Sequence, residues 1–91
     1  MIRVSSLALE ALFESLQASG IDAESGLRLQ EGGSGYVLTV DKPGPYDRIV
    51  SHRGATVLIL DPETVQRVGD ATIEIGRGSE GPEIKLRRRL A

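Results

Sequence analysis

Chemistry in this chain would have to come from a short list of side chains. His52 is its one histidine, and cysteine is absent from all 91 residues. An imidazole near neutral pH suits a general base. Here it has no thiol nucleophile beside it, and no Ser or Asp is placed by a recognisable motif. A single histidine is too few ligands for an imidazole-based metal site. The expectation is therefore a solvent-facing residue at a strand end, next to Arg53 and Gly54. Without cysteine there is no disulfide framework, Cys-ligated zinc or redox pair.

The run Gly32-Gly33-Ser34-Gly35 is the second candidate. Glycine-rich loops bind phosphate because bare backbone N–H groups converge on an anion, but a phosphate loop also carries a Lys and opens a helix. Here Tyr36-Val37-Leu38 follows, a β-like segment, so a connection between strands is expected. Asp41, Asp47, Asp61 and Asp70 raise the question of an acid pair or an oxygen-ligand metal site. Asp61 is placed to cap a helix and the others adjoin turn residues, where Asp is favoured for local hydrogen bonds. They show no EF-hand spacing, and no catalytic, metal-ligating or cofactor-binding residue is assigned. The candidate functional loop is Gly32, Gly33, Ser34 and Gly35, with His52, and Glu31 nearby.

Charge narrows the partners. The net charge is −2, with five acids against Arg3 and Arg28 in residues 1–31, and Lys85, Arg87, Arg88 and Arg89 against Glu83 near the end. No overall basic field exists for DNA or RNA. Three aromatic residues, Phe13, Tyr36 and Tyr46, give no stacking platform for single strands. Arg87-Arg88-Arg89 reads as a solvated terminus. No apolar run approaches the ~20 residues of a membrane span, and Glu10 and Glu14 interrupt the N-terminal apolar stretch, unlike a signal or transit peptide. The expected location is the cytoplasm.

The positioning elements follow from local pattern. Ser5 caps a helix, because its hydroxyl is placed to accept from a free N–H of the first turn. Val4 and Leu9 form a staple, Leu9, Leu12, Phe13 and Leu16 line one face, and Gly20 ends it. Leu27 and Leu29 alternate with Arg28 and Gln30, predicting a strand. Residues 31–35 are a loop, Tyr36 to Val40 a strand, and Lys42-Pro43-Gly44-Pro45 a turn. Arg48 to His52 and Ala55 to Leu60 predict a hairpin whose second strand is buried on both faces. Asp61, Pro62 and Glu63 open a short helix as cap, first position and dipole partner, with Arg67 in its last turn and Gly69 closing it. Ile73 and Ile75, then Ile84 and Leu86, mark two more strands joined by a Gly-rich loop from Gly76 to Pro82. A chain of this length is one domain, residues 1–91. The fold class is mainly β (α+β): a compact mixed β-sandwich or partial barrel of 5–7 short strands with an N-terminal covering helix and a second short helix.

The order of pieces from Ile2-Arg3-Val4-Ser5 through Gly32-Gly33-Ser34-Gly35-Tyr36, Gly54-Ala55-Thr56-Val57-Leu58-Ile59-Leu60-Asp61 and Ala71-Thr72-Ile73-Glu74-Ile75 to Gly81-Pro82-Glu83-Ile84-Lys85-Leu86 resembles the HesB-like, or A-type (IscA-like), iron–sulfur carrier family. The resemblance implies a small, often self-associating β-rich domain that carries iron or a cluster to target proteins. In that family the ligands are three cysteines, one in a Gly-Cys-Ser-Gly loop and two in a Cys-Gly-Cys-Gly segment near the C-terminus, and thiolates are the natural ligands of such clusters. Gly33 stands where the loop cysteine belongs, and the residues after Leu86 are Arg87-Arg88-Arg89-Leu90-Ala91. No ligand role carries over, and a glycine backbone is a poor ligand for a soft iron–sulfur unit. The expectation is a non-enzymatic HesB-like domain without a cofactor, acting through contacts with iron–sulfur assembly machinery or a target protein, and forming a homodimer. The alternative is a small-ligand or metal-binding module built on the Gly32–Gly35 loop, His52 and nearby acids. Neither a nucleic-acid nor a membrane partner is expected.

Overall fold

The computed structural model of the chain describes residues 2–32, 35–78 and 81–88. Chain order is β1 (Ile2–Val4), α1 (Ser6–Ala18), β2 (Gly26–Gly32), β3 (Gly35–Asp41), β4 (Arg48–His52), β5 (Ala55–Leu60), α2 (Pro62–Val68), β6 (Ala71–Gly78) and β7 (Gly81–Arg88). The strands form two mixed sheets, β1-β6-β7 and β3-β2-β5-β4. Neither closes into a barrel among the described residues.

Local signals set the helices. The Ser5 hydroxyl accepts from the Ala8 N–H at 3.1 Å, and Asp61 accepts from the Thr64 N–H at 2.8 Å. Each offsets one of the orphan donors of a first helical turn. Gly20 and Gly69 leave the helices at φ of 70° and 73°, a region that costs residues with a Cβ.

The first sheet joins the two ends of the chain. β1 lies parallel to β6, with Ile2 opposite Ala71 and Val4 opposite Ile73, and the Ser5 N–H continues the ladder to the Ile73 carbonyl at 3.0 Å. β6 and β7 pair antiparallel from Ala71–Arg88 to Gly78–Gly81. This corrects the expected Gly76–Pro82 loop: β6 continues to Gly78 and β7 begins at Gly81, because backbone pairing does not need side chains, and residues 79 and 80 lie outside the described residues. A three-residue strand such as β1 is too short to show alternation, and its segment was expected only to lead into the helix.

The second sheet comes from the middle of the chain. β2 pairs antiparallel with β3 and parallel with β5, and β4 pairs antiparallel with β5. Val57, Leu58, Ile59 and Leu60 of β5 have no exposed surface, as expected of a strand covered on both faces. One core unites Ile2, Ala71 and Ile73 of the first sheet with Leu29, Leu58 and Leu60 of the second, closed by Leu12 and Leu16 of α1. Full burial of such side chains stabilises by roughly 1.5–3 kcal/mol each. Gly26 is needed where β2 meets β5, since a Cβ there would lie 2.8 Å from Thr56 Cγ2 and 3.2 Å from the Val57 carbonyl oxygen.

Candidate functional site

The structure separates the two parts of the predicted site. β2 runs parallel to β5 with Leu27 level with Leu58 and Arg28 level with Ile59, so Gly32 lies beyond the C-terminal end of β5. His52 pairs with Ala55 at the N-terminal end of that strand. The strand order puts the β2–β3 hairpin and β4 on opposite sides of β5. Gly32 and Gly35 are register partners at the hairpin tip, and Gly33 and Ser34 lie outside the described residues. His52 therefore adds nothing to that loop. Glu31 also faces elsewhere: it pairs with Arg67 of α2, which also reaches Glu63 at 2.9 Å.

His52 is half-buried rather than solvent-facing, which corrects the expectation. Its Nε2 lies 2.5 Å from Glu10 Oε2 of α1. The ring meets Phe13 edge-on, with centroids 5.6 Å apart. Arg53 completes the group, 3.2 Å from Glu10 Oε1 and with its guanidinium 5.5 Å from the Phe13 ring centre. Arg53 and Gly54 have φ of 54° and 78°, the double positive φ of a type I′ hairpin turn. The Arg53-Gly54 pair signalled the tight turn; Glu10 and Phe13 carried no sign that their helix would pack on it. Among the described residues no hydroxyl is hydrogen-bonded to His52, so the group lacks the nucleophile that a general base would activate.

Among the described residues Arg28, which no motif marks, gathers several polar partners. Its Nη1 and Nη2 donate to both carboxylate oxygens of Asp47 at 3.1 and 2.7 Å, and Nε donates to Asp41 at 2.7 Å. Nη2 also reaches the Lys42 carbonyl at 3.4 Å, and Nη1 lies 3.8 Å from Asp61. Three of the four aspartates noted in the sequence thus gather on one guanidinium, which fills the place a cation would take. Hydrogen bonds from Arg28 hold the Asp41 and Asp47 carboxyls below the usual carboxylate range, assisted by the Lys42 and Gly44 N–H groups respectively. The same bonds push the Arg28 guanidinium up. Among the described residues no group of three or more acids or histidines is arranged to hold a metal ion.

No protein-family model and no curated protein matches the sequence. Solved structures do match in fold. Escherichia coli SufA, described as involved in biosynthesis of iron–sulfur clusters, aligns with a TM-score of 0.73 at 19% identity over 96% of this chain and 84% of its own. A protein from Aquifex aeolicus aligns at 0.69 and 22% identity, over 97% and 91%. IscA, solved with a [2Fe-2S] cluster, aligns at 0.59 and 16% identity, over 97% and 85%. The donor chemistry here does not fit such a cluster: no thiol exists in the sequence, and the carboxylates best placed to act together are held by Arg28. The chain has the HesB-like fold of the A-type iron–sulfur cluster carriers, without their cysteines.

Proposed function

We propose that this is a non-enzymatic HesB-like domain that binds no cluster of its own and acts through protein contacts, with iron–sulfur assembly machinery or a target protein as the partner. The observation that carries the reading is the coincidence of an almost full-length fold match to SufA and IscA with a sequence free of cysteine. A carrier fold without thiolates lacks the soft donors that hold iron and sulfide, which leaves contacts with other proteins as its means of acting. Self-association into a homodimer belongs to the same proposal.

Anaerobic reconstitution with ferrous iron and sulfide tests the first half. The purified protein is expected to return colourless from desalting, and stoichiometric cluster absorption on it would refute the proposal. Affinity capture from its native extract, with identification by mass spectrometry, tests the second half. Recovery of cluster-assembly proteins is the expected result, and their absence from repeated captures removes the proposed partner.

A further inference from the structure

Outside the features above, the β1-β6-β7 sheet carries a concentration of arginine at one end. The register aligns Arg3 of β1, Thr72 of β6 and Arg87 of β7 in one row across three strands. Neighbouring strands lie about 4.8 Å apart and residues in register share a face, so two guanidiniums flank one hydroxyl. Arg88 pairs in register with Ala71 at the adjoining end of the sheet. These residues and Asp70 line a cavity of about 410 Å³. Three arginines stand against Asp70 in the lining and Glu74 beside Arg87, which leaves the cavity net positive. Arg87 is tied to Glu74 through Nε at 3.2 Å, which leaves its terminal nitrogens for another acceptor. Arg3 and Arg88 form no ion pair with any acid among the described residues.

We propose that this cavity binds the dianionic phosphate group of a small molecule. Planar guanidinium forks donate in pairs to such oxyanions, the Thr72 hydroxyl supplies a donor between them, and the net positive lining favours an anion. The chain's net charge of −2 opposes a long polyanion, so the phosphate belongs to a small molecule rather than a nucleic acid.

Two-dimensional ¹H–¹⁵N NMR of the full chain tests this at constant ionic strength, with inorganic phosphate and ribose 5-phosphate as probes, acetate as control, and a short RNA as competitor class. Saturable shifts at Arg3, Thr72 and Arg87 are expected with both phosphates and not with acetate. Arg3→Gln and Arg87→Gln should each weaken binding at least tenfold with the remaining spectrum unchanged, whereas Arg53→Gln, in the other sheet, should bind as the parent does. Shifts that rise linearly without saturation, shifts equal in acetate, or binding that survives both arginine replacements would overturn the site. Saturation by RNA with both small phosphates silent would overturn the ligand class.

Discussion

Arg28 and Asp47 meet end to end, with two guanidinium N–H groups on two carboxylate oxygens at 3.1 and 2.7 Å. The pair joins β2 to the segment between β3 and β4. Asp47 Oδ2 also accepts from the Gly44 N–H at 2.6 Å, so the turn is held against itself and against the sheet by one carboxylate. Hydrogen bonds to charged groups contribute about 1.5–3 kcal/mol each when their loss strands a partner. Arg28→Met is expected to lower stability by about 2–4 kcal/mol in urea unfolding. Arg28→Lys should recover less than half of that, since an ammonium cannot reproduce the fork.

The same cluster sets a pH dependence. Asp41 and Asp47 have folded-state pKa values below the unfolded value, because Arg28 favours their charged forms. A depressed carboxyl contributes stability in full above its unfolded pKa, near 3.9, and loses it as pH falls through the folded value. This contribution should be flat from pH 7 to about 5 and fall away below about 4. Comparing Asp47→Asn with the parent across that range checks it: the stability gap should narrow in acid, and a gap that widens contradicts the assignment.

Glu10 ties α1 to the β4–β5 turn through His52 and Arg53. Partly exposed pairs of this kind are worth about 0.2–1 kcal/mol and are weakened by salt. Glu10→Gln should cost that much at low ionic strength and less in 1 M salt. A Glu10/Arg53 double-mutant cycle should give a coupling of the same sign.

Two glycines answer to different constraints. Gly54→Ala forces a Cβ into φ of 78° and should cost about 1–2 kcal/mol. Gly26→Ala meets the Thr56 side chain and the Val57 carbonyl and should cost about 1–3 kcal/mol by overpacking. Gly35→Ala, with nothing within 4 Å of its added Cβ, should change stability by less than about 0.5 kcal/mol. Thermal unfolding of the three variants should reproduce this division.

What was legible in the sequence was what neighbours in the chain decide. Ser5 and Asp61 announced their helices as caps three residues before the N–H groups they accept from, and Ala55 to Leu60 announced a doubly covered strand by an unbroken apolar run. What was not legible depends on distant partners. His52 takes its surroundings from Glu10, 42 positions earlier, and Arg28 meets Asp47 19 positions later. The short β1 shows itself only through β6. Composition alone showed that thiols are absent, yet the topology was needed to show that the Gly32–Gly35 tip and His52 lie at opposite ends of β5.

The β1–β6 pairing also has a temporal consequence. Ile2 waits for Ala71, across most of the chain, while the four-stranded sheet needs only residues 26 to 60. Such a high-separation closure slows folding, because the entropy of bringing distant segments together must be lost before the contact returns anything. During synthesis the middle sheet is complete in sequence before β6 emerges, so β1, although made earlier than any strand of that sheet, docks only after them.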